Sequence, residues 1–131
     1  MRQLLYVSTA TVPAGEAELA VIVQQSRTNN ALDGITGLLW SDGKRFAQVI
    51  EGDERAIEDA MLRIAADPRH RDILILHDAT VATRQFGSWS MELRMPGSNP
   101  DGHDLRMRHA LEGSSGAIRD GFASLIAPVA V

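Results

Sequence analysis

The chain has 131 residues, 44% of them hydrophobic and 23% charged, with a net charge of −4 and no cysteine. One domain with a real core is expected, the acidic balance gives no electrostatic reason to bind nucleic acid or an anionic membrane, and disulfides, thiolate metal sites and cysteine nucleophiles are excluded. No apolar stretch approaches the roughly 18 residues of a membrane span, and Met1-Arg2-Gln3 leads straight into a strand-like run rather than a secretory signal, so a cytoplasmic protein is the expectation. In chain order, the apolar run Leu4 to Ser8 predicts the first strand. Thr9 to Gly15 reads as a loop, with Pro13 and Gly15 as breakers. A helix is expected from Glu16 to Asn29, its apolar stripe being Leu19, Ile22 and Val23. Asn29-Asn30 would end it, and Asp33-Gly34 would turn the chain.

Ile35 to Trp40 is the second predicted strand and Arg45 to Glu51 the third, joined by the hairpin signal Asp42-Gly43. Asp53 reads as the N-cap of a second helix, whose stripe is Ile57, Ala60, Met61 and Ile64. Asp67-Pro68 stops that helix. Ile73 to Leu76, extendable to Ala82, predicts a fourth strand, and Trp89 to Arg94 a fifth. This order is α+β: a ferredoxin-like βαββαββ sheet with two helices on one face, in which the first and third strands are central neighbours. Met95 to Asp101 reads as a linker. His103 to Leu111 and Ala117 to Leu125 read as a helical pair capping the other face. Residues 1–94 would be one domain and residues 95–131 an extension packed on it.

Tyr6 and Gln48 sit inside apolar runs, so both side chains are expected in the interior. A buried polar group needs a partner, and two on neighbouring strands suggest a polar ligand between sheet and helix. Asn29 and Asn30 offer donors and acceptors that suit an amide- or imide-like ring edge; helix C-capping is the alternative for them. Arg63 and the run Asp67-Pro68-Arg69-His70-Arg71 put cations at a helix C-terminus, where they complement its dipole. His70, His77, His103 and His109 lack metal-ligand spacing. Neither a P-loop, GxGxxG nor GxSxG occurs. Trp89 and Met91 share one face of the last strand, as core or as the wall of an aromatic ligand site.

Taken in order, Leu5-Tyr6-Val7-Ser8, Asn29-Asn30, Gly34-Ile35-Thr36-Gly37-Leu38-Leu39, Phe46-Ala47-Gln48-Val49-Ile50-Glu51-Gly52, Asp67-Pro68-Arg69-His70 and Arg84-Gln85-Phe86-Gly87-Ser88-Trp89-Ser90-Met91 resemble the BLUF domains, blue-light sensors using FAD. The resemblance spans roughly residues 3–94, and the tail resembles that of short, effector-free members. It implies an isoalloxazine ring between the two long helices and against the sheet. Asn30 would bond the flavin C4 carbonyl and N3 edge, with Asn29 close by. Arg63 and Asp67 would address the pyrimidine side, and Ser26, Arg69 and His70 would complete the site.

The resemblance further implies that Tyr6 gives an electron and then a proton to the excited flavin. Gln48 would link Tyr6 to flavin N5 and C4=O, and would end rotated or tautomerised, with a stronger bond to C4=O that red-shifts the absorption. Trp89 and Met91 would relay the change. A sensor, not an enzyme, is implied, acting on a downstream protein and assembling with further copies of itself, with no nucleic acid or membrane partner. No motif reads the adenosine half, so FMN and riboflavin fit the residues as FAD does. The alternative is a ferredoxin-like small-ligand regulatory module without photochemistry. An acylphosphatase-like enzyme would need an arginine in the loop after the first strand, and Thr9 to Gly15 has none.

Overall fold

The structure, a computed structural model, describes residues 1–11, 15–41, 43–84 and 92–94. Strands β1 (Arg2–Ala10), β2 (Thr36–Ser41), β3 (Arg45–Gly52), β4 (His70–Thr80) and β5 (Glu92–Arg94) form one sheet in the order β4-β1-β3-β2-β5. β1 is antiparallel to β3 and β4, and β2 is antiparallel to β3. β5 joins the far edge parallel to β2. Helices α1 (Glu16–Asp33) and α2 (Glu54–Ala66) make the crossovers. The first four strands and the two helices follow the expected ferredoxin-like order, with β1 and β3 as neighbours in the sheet interior.

Strand alternation sorts the side chains. Leu4, Tyr6, Leu39, Phe46 and Ile50 face the helices and pack with Leu19 and Val23 of α1 and Ile57 and Ala60 of α2. The opposite face carries Leu5, Val7, Leu38, Trp40, Ala47 and Val49, and these are buried as well. The helical pair expected at His103 to Leu111 and Ala117 to Leu125, and the residues Trp89 and Met91, lie outside the described residues. At Gly37 the sheet admits no side chain, because a Cβ there would lie 2.0 Å from the Val49 carbonyl oxygen.

Two elements differ from their sequence expectations in ways that shape the site. α1 does not end at Asn29-Asn30 but runs to Asp33. Gly34 caps it at φ 70°, a left-handed conformation that glycine adopts without steric cost, and the Asn30 carbonyl accepts the N–H groups of Gly34 and Ile35. Asn30 is therefore a helical residue, not a cap. β4 begins at His70, three residues before the apolar run starts. Its polar opening is held by the pairs Ala10↔His70 and Thr9↔Arg71, and irregular register with Asp72 at φ 55° absorbs the mismatch. Beyond β4, the Arg84 guanidinium donates to the Gly34 carbonyl at 2.6 Å and to Thr36 Oγ1 and the Glu51 carbonyl at 2.9 Å each. It pins the chain to the α1–β2 junction.

Candidate functional site

Tyr6 and Gln48 are directly opposite across β1 and β3, and Leu39 of β2 flanks Gln48 on its other side. All three project toward the helices. The Tyr6 hydroxyl donates to Gln48 Oε1. Both residues are buried, Tyr6 at 4% and Gln48 at 5% exposure. Burial pushes the phenol well above its ordinary pKa, and the Asp67 carboxylate pushes it in the same direction. Tyr6 thus stays neutral, and its proton is held on a bond that ends at an amide oxygen.

Above this pair, α1 and α2 enclose two adjoining cavities that share Ser26, Gln48, Ile64, Asp67 and Arg69. Ile22, Leu39 and Phe46 supply apolar wall to one, Ile50 and Ala60 to the other. The α1 stripe Leu19, Val23, Ser26 and Asn30 follows helical spacing and turns from apolar to polar where it meets the cleft. The Asn30 side chain is 5% exposed, whereas Asn29 is exposed. At the rim, Arg63 pairs with Asp33 at 3.0 Å. Arg69 bonds the Asp67 carboxylate and reaches across to Gln25 Oε1 at 2.8 Å. Bonding to Arg69 holds the Asp67 carboxyl below its usual range against the opposing effect of partial burial.

Every residue expected in the site that lies among the described ones lines this cleft: Tyr6, Ser26, Asn29, Asn30, Gln48, Arg63, Asp67, Arg69 and His70. The structure adds contacts the sequence did not suggest. Gln25 spans the rim, although as an exposed helical glutamine it carries no signal of its own. The buried Ser8 hydroxyl bonds His70 Nδ1 at 2.8 Å. On the opposite face, the buried Glu51 carboxylate accepts from Gln3 Nε2 at 2.8 Å, and Gln3 Oε1 lies 3.0 Å from His77 Nε2. Polar residues inside strand runs were the available signal for Gln3 and Glu51, as they were for Gln48. Among the described residues, no group of three or more His, Asp or Glu side chains could hold a metal ion, and no helix is long and apolar enough to cross a membrane.

Fold and cleft together define a ferredoxin-like α+β domain whose two helices cover a polar-floored cleft. Comparison with known proteins gives the family. The BLUF family, sensors of blue-light using FAD, matches residues 1–92, and the chain belongs to it. Flavin is accordingly its cofactor. BlrB, a BLUF protein solved in its dark state, superposes with a TM-score of 0.67 at 36% identity over 70% of each chain. A bacterial light-regulated adenylyl cyclase gives a TM-score of 0.70 at 27% identity, covering 94% of this chain and 34% of that one. The photoactivated adenylate cyclase subunit beta of Euglena gracilis is 36% identical over 89 residues, which is 67% of this chain. The present chain spans 10% of that relative's length.

Proposed function

We propose that this chain is a blue-light receptor whose photoactive element is the Tyr6–Gln48 pair. The observation that carries the reading is the buried bond from the Tyr6 hydroxyl to Gln48 Oε1 at the floor of the cleft. The residues present suit a flavin. The buried amides of Gln48 and Asn30 match an edge of alternating donors and acceptors, and Ile22, Leu39, Phe46 and Ile64 offer apolar surface for ring faces. The larger cavity measures about 130 Å³, below the ≈ 300–1,000 Å³ usual for ligand sites. Seating the ring would widen this space, and the Arg69–Gln25 bridge at the rim is the contact that would give way. That bridge is exposed, so opening it costs little.

Asn30 would hold the imide edge, with Asn29 and Ser26 beside it. Arg63, Asp67 and Arg69 would line the rim, and His70 would stand beside Tyr6. When bound, the flavin supplies a visible chromophore and an electron acceptor. Tyr6 would supply an electron and then its proton, the proton leaving along the bond to Gln48 Oε1, so that no charge stays stranded in the buried site. Gln48 Oε1 is the atom that receives the phenol's hydrogen bond, and the amide, being both donor and acceptor, reverses its bonds without changing charge. The output is a change of contact surface passed to a downstream protein, with Trp89 and Met91 as relay and further copies of the chain as assembly partners. The curated relatives are photoactivated cyclases of which the matched stretch is 10%. The family match over residues 1–92 supports a sensing role for that stretch.

Absorption spectra before and after blue light test the reading. The wild type should show a reversible red shift of the flavin bands. Tyr6→Phe should keep the flavin and lose the shift. A full photocycle in that variant would remove Tyr6 from the mechanism.

A further inference from the structure

We infer that His70 is a positioning residue for Tyr6, a neutral imidazole locked in one tautomer that braces β1 against the end of α2, and that it does not hold the flavin through its own ring nitrogens. The inference deepens the photoreceptor reading and rests on it for its photochemical consequences. His70 Nε2 lies 2.5 Å from the Ile64 carbonyl oxygen. A carbonyl only accepts, so Nε2 carries the hydrogen. In the neutral ring Nδ1 is then the acceptor, and the Ser8 hydroxyl, 2.8 Å away, donates to it. Both ring nitrogens are thereby committed to the protein.

The brace joins three elements at the photoactive pair. Ser8 is two residues beyond Tyr6 on β1 and so projects from the same face. Ile64 lies in the last turn of α2, where its carbonyl also accepts the Asp67 N–H at 3.2 Å. A histidine N–H donor there satisfies an end carbonyl. The imidazole itself stands edge-on to two rings, with centroids 6.2 Å from Tyr6 at 61° and 6.2 Å from Phe46 at 89°. A ring held at both nitrogens is a fixed wall for the phenol. Losing the bonds would leave the wall in place but free to turn, and the Tyr6–Gln48 arrangement would be less tightly set.

Two substitutions separate the wall from the bonds. His70→Gln places an amide nitrogen that can donate to Ile64 and an amide oxygen that can accept from Ser8, without a ring. His70→Phe keeps a ring and loses both bonds. With flavin bound, His70→Phe should return from the lit to the dark state at least about tenfold faster, a barrier change of about 1.4 kcal/mol. His70→Gln should stay within about threefold of wild type. Ser8→Ala, which frees Nδ1 without touching the ring, should also speed recovery and decides the matter if His70→Phe fails to fold or bind flavin. Nitrogen-15 NMR of the dark wild type should show Nε2 protonated and Nδ1 bare. Wild-type recovery in His70→Phe, equal acceleration in both His70 variants, or a protonated Nδ1 with bare Nε2 would each overturn the inference. If the wild type shows no light-induced red shift at all, the photoreceptor reading fails instead, and the NMR tautomer still decides the brace.

Discussion

Tyr6→Phe removes one oxygen from the floor of the cleft, and its effect on stability should reverse its trend with pH. At neutral pH the Gln48 carbonyl oxygen loses the Tyr6 donor, a buried hydrogen bond, which costs about 1–3 kcal/mol. The wild type carries an opposing liability. Burial raises the folded-state pKa of the phenol, while in the unfolded chain the proton leaves at about pH 10. The stability that depends on a neutral Tyr6 is therefore complete below about pH 10 and is lost above it, at about 1.4 kcal/mol per pH unit, until the folded phenol itself ionises. The variant has no such loss. Its deficit should narrow once the pH passes about 10 and vanish about one to two units higher. Lysine and arginine titrations are common to both proteins and cancel in the difference. Urea unfolding of both proteins in the dark, from neutral pH to about pH 11.5, measures the gap. Tyr6 is the only tyrosine, so tyrosinate absorbance follows it alone. Parallel stability curves through the alkaline range, or a tyrosinate band rising near pH 10 in the folded protein, would show that burial does not control this phenol.

Gln48→Leu should abolish the light-induced red shift and shift the dark spectrum slightly, and stranding the Tyr6 hydroxyl should lower stability by about 1–3 kcal/mol; an unchanged light-minus-dark spectrum would contradict the assignment. Asn30→Ala should weaken flavin binding by about one to two decades, because that side chain is buried in the cleft. Asn29 is exposed at the rim, so Asn29→Ala should change affinity by much less, and equal flavin occupancy of the two purified variants would argue against the distinction. Gly37→Ala would set a methyl 2.0 Å from the Val49 carbonyl oxygen between paired strands, so a loss of about 3 kcal/mol or more is expected in denaturant unfolding. A loss below about 1 kcal/mol would mean that β2 and β3 part more easily than their ladder suggests.

Much of this was readable in the chain itself. Apolar runs separated by Gly, Asp and Pro signals located the strands, and helical spacing of Ile57, Ala60, Met61 and Ile64 located α2. Tyr6 and Gln48 stood out because a polar residue in such a run must be satisfied inside. Motif order over residues 3–94 was enough for the family, which the match over residues 1–92 bears out. These features are local, or depend only on order along the chain. Tertiary structure decided what depends on distant partners. The β1–β3 register sets Tyr6 opposite Gln48, 42 positions away, and neither segment contains the other's register. Asn29-Asn30 are weak helix formers, but the preference is only tenths of a kcal/mol, and burial of the α1 stripe with Gly34 as cap carried the helix past them. That turned Asn30 into the cleft. His70 entered β4 through pairing with Ala10 despite its polar neighbours, and both its bonds go to residues placed near it only by the fold. Local propensities fix where elements form because they act over a few residues. Which side chains meet in the cleft is set by sheet register and helix packing, whose energies arise between segments that no short window of sequence contains together.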